Sequence, residues 1–343
     1  MKILSVGSMN GLSNTCVHRH WALEKVANCV DTVNMYETPV SLWFKIANRL
    51  FSYGLPLRLP DNSNANQNIK KYIEQNDYDI VWIDKGWVIN KKTLEFIKKK
   101  NSKTKIVSYS PDNMILRHNQ SQNYLECIPF YDFIFTNKSY ILEGMKKLGA
   151  KNIQFVNNSY EGTFHFPREL TPLEYEKLGG DVGFVGVWEE ERCASILHLA
   201  KGGINIRVFG GGKWINYKNI YPNLIIEDEG LYGEEYSKSF KAFKISLCFL
   251  RKMNYDLQTT RTMEIPACGG FMLAERTLEH CQLFEEDLEA VFFSDNEELL
   301  QKCKFYLRND NERQKIAERG LLRCQVSGYS NEETIKKIIS EII

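Results

Sequence analysis

The chain reads as an α/β protein made of two doubly wound, Rossmann-like domains. Three observations predict this. Short, continuous apolar runs alternate with helical stretches along the first half, as expected for parallel strands buried on both faces. The alternation stops over 159–180, SYEGTFHFPRELTPLEYEKLGG, which is rich in proline, glycine and polar residues. A second series of apolar runs begins at 181. At 343 residues the chain is too long for one typical core and suits two.

In the first series, strands are predicted at KILSVG (2–7), YDIVWID (78–84), KIVSYS (105–110), YDFIFTN (131–137) and IQFVNN (153–158). Helical stretches such as NIKKYIEQN and KKTLEFIKKK separate them. The second series runs DVGFVG (181–186), INIRVFG (204–210), NLIIED (223–228), ISLCFL (245–250), GFMLAE (270–275) and EAVFFSD (289–295). Three helices follow: EELLQKCKFYLRN, NERQKIAERGLLRCQV and NEETIKKIISEII. The expected organisation is a first domain at 1–165, a linker at 166–180, a second domain at 181–328 and a last helix at 329–343.

Composition excludes several classes. Apolar residues make up 43% and charged residues 25%, ordinary for a globular protein. No run of about 18 apolar residues suggests a membrane span. The opening MKILSVGSMNGLS breaks at glycine and fits a first strand better than a signal peptide. Nine cysteines without CxxC or metal spacing suggest reduced thiols and a cytoplasmic location. Cys248, Cys268 and Cys303 sit inside apolar patterns and suit a core. With six histidines and no paired ligand spacing, no metal is expected. Charge is uneven: residues 1–165 carry 21 basic and 14 acidic side chains, a balance of +7, and the remainder balances at −6. A basic first domain suits anionic partners such as a membrane surface or a lipid diphosphate. No nucleic-acid motif accompanies the charge. The segment WFKIANRLFSYGLPLRL (43–59) mixes aromatics with Lys45, Arg49 and Arg58. It reads either as an interfacial segment lying on the inner face of a membrane or as a helix packed on its own domain.

The densest chemistry lies in FLRKMNYDLQTTRTMEIPACGGFMLAER (249–276). Polar residues threaded between two buried strands belong at the carboxyl edge of a parallel sheet, where α/β proteins bind ligands. Arg261 falls at the start of the helix TRTMEIPAC, where a cation and free N–H groups hold an anion together. Pro266 is tolerated only near a helix start, which puts that start at 259–262. Asp256 and Glu264 cannot bind phosphate but can accept hydrogen bonds from sugar hydroxyls. Together these fit a sugar phosphate such as a nucleotide-sugar; the other reading is a surface helix with ordinary charges.

The same stretch resembles the CgeB-like branch of the "group 1" glycosyltransferases. The resemblance rests on DLQTTRTMEIPACGGFMLAERT (256–277), LFEEDLEAVFF (283–293), EELLQKCKFYL (297–307) and ERQKIAERG (312–320). It covers roughly the last 160 residues closely and the rest loosely. It implies the GT-B architecture, two Rossmann-like domains facing a cleft, with the last helix returning to the first domain. It also implies transfer from a nucleoside-diphosphate sugar to a glycan or lipid-linked acceptor of the cell envelope, without a metal and without another cofactor. Retaining members carry two carboxylates eight residues apart, matched here by Asp256 and Glu264, although the first is one methylene shorter. By position, Glu264 would bind ribose and Arg261 the diphosphate, with Thr260 or Thr259 adding a hydroxyl or capping the helix.

Other residues are placed by the loops they occupy. After the first strand, Gly7 and Asn10 are expected on the acceptor side, with His18 in the following helix either there or structural. In GFVGVWEEER (183–192), Gly186, Trp188 and Arg192 are candidate donor contacts, while Glu189 to Glu191 are expected in solvent. In FGGGKW (209–214), Gly210 and Gly211 offer backbone groups to a base and Trp214 a stacking surface. Tyr232 offers a second grip on the base. Asp112, directly after a strand, is the candidate general base. His165 reads as a hinge or donor-side contact, and Glu275 with Arg276 as site residues or a surface ion pair. The catalytic set is thus Asp112, Asp256 and Arg261. Two alternatives remain: a nucleotide-sugar epimerase on the same fold, and a non-catalytic nucleotide-sugar-binding protein.

Overall fold

The computed structural model describes residues 1–36 and 41–343. It contains two compact units, 1–157 with 332–343, and 158–331. The first holds a six-stranded parallel sheet of β1 (Lys2–Gly7), β2 (Cys29–Asn34), β3 (Ile80–Asp84), β4 (Lys105–Ser110), β5 (Phe133–Thr136) and β6 (Ile153–Phe155), in the order β2-β1-β3-β4-β5-β6. Its helices are α1 (Thr15–Val26), α2 (Leu42–Ser52), α3 (Ala65–Gln75), α4 (Lys91–Lys100), α5 (Gln122–Cys127) and α6 (Leu142–Lys147). Along β3 the residues alternate between two cores: Val81 and Ile83 face one, Ile80 and Trp82 the other. Both faces are dry, which explains why the strand reads as an unbroken apolar run.

The second unit repeats the plan. Its strands are β7 (Gly180–Val185), β8 (Ile206–Phe209), β9 (Leu224–Glu227), β10 (Phe243–Cys248), β11 (Met272–Glu275) and β12 (Val291–Phe293), in the order β12-β11-β10-β7-β8-β9. Around them lie α7 (Pro172–Leu178), α8 (Glu190–Lys201), α9 (Gly233–Ala242), α10 (Thr260–Ala267), α11 (Leu278–Leu283), α12 (Asn296–Arg308) and α13 (Asp310–Val326). The last helix, α14 (Asn331–Ile342), packs with the first unit: Ile335, Ile338 and Ile342 share a core with Ile3, Leu23 and Trp82.

Three features depart from the sequence reading. Strand β2 escaped it, because CVDTVN is an edge strand with only Val33 fully buried and so carries no continuous apolar run. The polar break belongs to the second unit from Asn158 onward. Within it, α7 forms on a capping box between Thr171 and Glu174, with Pro172 at its first position. Cys248, Cys268 and Cys303 are buried and unpaired, and burial raises the Cys248 thiol to about 11. No helix among the described residues is long and apolar enough to cross a membrane.

Candidate functional site

In the second sheet the chain winds outward from β7 through β8 to β9, then returns and winds the other way from β10 through β11 to β12. The switch lies between β7 and β10, and the crevice beyond their carboxyl ends is where such sheets bind ligands. Two arginines occupy it. Arg261, from the first turn of α10, donates through Nε to the Val185 carbonyl at 2.8 Å. Its two terminal nitrogens have no hydrogen-bond partner among the described residues. Arg192, from the first turn of α8, is buried and donates to the carbonyls of Val187 (3.1 Å) and Leu250 (3.2 Å), tying the ends of the two strands together. Both guanidinium groups lie 5.8 Å from the Phe184 ring. Burial and the repulsion of Arg261 lower the Arg192 pKa. One anion is already beside them: Glu189, expected in solvent, is half-buried and pairs with Arg192 and Arg251 at 3.4 Å, because the turn into α8 folds its side chain back over the arginines, while Glu190 and Glu191 are exposed as expected. Arg261 has no ion pair of its own among the described residues and is the cation placed to meet a further anion.

The neighbouring loops are packed by necessity. A Cβ on Gly210 would stand 2.0 Å from the Gly186 carbonyl oxygen, so the loops after β7 and β8 touch only because neither carries a side chain there. The Trp188 amide donates to the Gly211 carbonyl at 3.3 Å. Trp188 is half-buried and stacks on Tyr217 at 6.5 Å. Trp214 is fully buried, and its indole donates to the Gly186 carbonyl at 2.9 Å. It props the loop from below and offers no stacking surface, contrary to the sequence reading. Tyr232, at the start of α9, is exposed.

A chain of hydrogen bonds fixes the start of α10, which the sequence places correctly. Thr259 caps it, its hydroxyl accepting from the Arg261 amide at 3.1 Å. The Thr262 hydroxyl accepts from the Thr259 amide at 3.0 Å and meets His280 Nε2 at 2.9 Å. His280 Nδ1 lies 2.6 Å from the Glu275 carbonyl. A carbonyl only accepts, so Nδ1 carries the proton and Nε2 accepts from Thr262. His280 is therefore neutral, and burial lowers its pKa to about 4. Thr260 is the first helical residue. Pro266 sits in the last turn, not the first; the helix is short enough for both ends to fall near it.

Glu264 is buried on this helix and accepts from the Tyr236 hydroxyl at 2.6 Å. Its other oxygen faces His165 Nε2 at 3.8 Å. His165 Nδ1 accepts from the Glu161 amide at 3.0 Å, so Nε2 bears the proton in the neutral ring. Asp256 lies in the loop before α10, next to Tyr255, whose backbone is left-handed at φ 53°. Glu275 is occupied structurally: it accepts from the Leu250 amide at 2.7 Å and pairs with Lys252. Arg276 pairs with Glu286 (2.5 Å) and Glu298 (2.7 Å) in a peripheral network that also takes in Lys302. Among the described residues no group of metal-ligating side chains converges.

In the first unit the switch lies between β1 and β3. A Cβ on Gly7 would stand 2.3 Å from Cys16 Sγ and 3.2 Å from Asp84 Cβ. Asp84, at the end of β3, holds Arg19 through both oxygens at 2.6 and 3.0 Å, and Arg19 stacks on Tyr109 at 4.2 Å. His18 is buried with Nε2 2.6 Å from the Leu12 carbonyl, and thereby pins the loop that carries Asn10. Asn10 accepts from the Asn34 side chain at 3.2 Å. Asp112 pairs with Lys85 at 2.7 Å. The sequence reading missed Arg19, Asp84, Lys85, Tyr236 and His280. The one available signal was the carboxylate closing the apolar run YDIVWID.

Residues 192–340 match the family described as glycosyl transferase-like. No protein of curated function matches the chain by sequence. Among solved structures, HepE from Anabaena in complex with UDP-glucose is similar at TM-score 0.66 and 12% identity, covering 99% of this chain and 100% of its own. Sucrose-phosphate synthase from Thermosynechococcus elongatus is similar at TM-score 0.66 and 10% identity, over 99% and 98%. Trehalose-6-phosphate synthase is similar at TM-score 0.67 and 12% identity, over 100% and 99%. The fold is thus of the GT-B type, and the domain match with it indicates a glycosyltransferase.

Proposed function

We infer that the chain transfers a sugar from a nucleoside-diphosphate sugar, held at the switch point of the second unit, to a glycan or lipid-linked acceptor of the cell envelope. The observation that carries this reading is Arg261: a guanidinium fixed by one bond to a strand-end carbonyl, with both terminal nitrogens open, at a capped helix start. Diphosphate is the anion such a site suits. That HepE is similar in fold and binds UDP-glucose supports the donor class.

In the proposed reaction the bond between the anomeric carbon and the diphosphate oxygen breaks, and charge builds on the departing phosphate. Arg261 and the helix amides stabilise that charge, so the reaction needs no metal. Arg192 reinforces the field while holding the crevice rigid. Glu264 receives the ribose through its oxygen facing away from Tyr236, and Asp256 receives the sugar hydroxyls. The acceptor hydroxyl attacks the anomeric carbon, with Asp112 as general base, on the same face for a retaining outcome. The acceptor class rests on the basic first half and the family resemblance.

Thermal-shift binding against nucleoside diphosphates and nucleotide-sugars tests this. A ligand at a hundred times its Kd stabilises by about 2.7 kcal/mol. One nucleotide should raise the melting temperature, and Arg261→Ala should weaken its binding at least about tenfold, as expected for losing charge-assisted hydrogen bonds. Glu264→Ala should also weaken it. Stabilisation by no nucleotide would remove the proposal. Product analysis with and without acceptor separates transfer from epimerisation.

A further inference from the structure

We propose that α2 is an interfacial anchor that docks the first unit onto an anionic lipid bilayer. Along α2, Ala47 and Phe51 form one row that is buried against the unit. The adjacent row of Leu42, Ile46 and Leu50, spaced i, i+4, i+8, faces solvent. Leu42 is 73% exposed, Trp43 beside it 66%, and Tyr53 at the end of the helix 75%. The apolar side of α2 is therefore wider than the surface it packs on, and only part of it is covered. A contiguous exposed apolar patch on an otherwise ordinary surface marks an interaction site.

Charge selects the occupant. Lys45 and Arg49 form the next i, i+4 row along the exposed apolar row, and both are exposed. Neither has an ion-pair partner among the described residues. From 38 to 60 the sequence has no acidic residue and three basic ones, Lys45, Arg49 and Arg58. Arg58 alone is paired, with Glu126. A helix with an apolar row, an aromatic at its edge and a bare cationic row beside it matches the boundary between acyl chains and anionic headgroups. A partner protein would match the apolar row equally well, but only with a complementary acidic surface. A bilayer satisfies both rows at once. The leucines, isoleucine and tryptophan enter the acyl boundary while the cations remain among the headgroups.

The test is co-sedimentation of the full chain with vesicles of phosphatidylcholine containing about one-quarter phosphatidylglycerol, against pure phosphatidylcholine, at low and high salt. The wild type should sediment with the anionic vesicles and be released by salt. Lys45→Ser with Arg49→Ser should weaken partitioning by about fivefold for each cation. Leu42→Ser, Trp43→Ser and Ile46→Ser together should abolish it. All five side chains are exposed, so the melting temperature should change little, and the charge variant tests the proposal even if the apolar variant folds poorly. Brominated acyl chains should quench fluorescence in the wild type and not in Trp43→Phe to the same extent. No binding to anionic vesicles, or binding that neither variant reduces, would overturn the proposal. So would a dimer in solution that the apolar variant dissolves while vesicles capture nothing, since the face would then join two copies.

Discussion

Glu264 is buried, a buried polar group is costly without a hydrogen-bond partner, and the Tyr236 hydroxyl is the donor in contact with it. Tyr236→Phe should cost about 1–3 kcal/mol of stability, the penalty for an under-satisfied buried acceptor. It should also weaken nucleotide binding, because Glu264 is then free to turn. Urea unfolding and a nucleotide titration measure the two effects; an unchanged nucleotide affinity would detach Tyr236 from the site. His280 acts one step further back, on the cap that aims Arg261. Its pKa is about 4 in the folded chain, lowered by burial, against about 6.5 when unfolded. Between those values the unfolded chain binds more protons. Stability therefore falls as pH drops below 6.5, and the loss is complete below about 4. In His280→Gln, melting temperature should vary less over that window, although the variant should be less stable at neutral pH. Parallel melting curves for the two proteins would exclude the histidine as the cause.

Elements enter through the places where they must touch. The loops after β7 and β8 meet at Gly186 and Gly210, with Trp214 closing the gap beneath them. Gly210→Ala forces two backbones apart and should cost about 1–3 kcal/mol, as overpacking does. Because Arg261 is anchored on Val185, the last residue of β7 and the neighbour of Gly186 in the chain, nucleotide stabilisation should fall with it. Gly211→Ala is the control: a Cβ there meets nothing within 4 Å. It should stay within about 0.5 kcal/mol of wild type. Equal losses at both positions would show that loop flexibility matters, and not the close approach.

At the scale of the molecule, the chain closes its first unit with its last residues. Ile335, Ile338 and Ile342 are buried on a face of the first sheet. Burial of each is worth about 1.5–3 kcal/mol. Deleting 332–343 should therefore lower the melting temperature of the first unit by several degrees or unfold it, while the nucleotide-responsive transition of the second unit holds. Scanning calorimetry with and without nucleotide distinguishes the two. A single transition lowered throughout would show that the units unfold together.

The sequence alone determined the α/β class, eleven of the twelve strands among the described residues and the start of α10, because parallel strands covered on both faces are continuously apolar and helix starts carry caps. It also singled out Arg261, whose position at a helix start is a local property. Strand β2 was not legible, since an edge strand keeps too few buried residues to print a pattern. Only the tertiary structure decided that Tyr236 meets Glu264, that His280 holds Thr262, that Asp84 holds Arg19, and that Trp214 turns inward. Each of these joins residues from different segments. Periodicity reports how deeply a segment is buried but carries no record of which segment lies against it. For the same reason the composition of α2 left two readings open, and only its packing revealed an apolar row left uncovered.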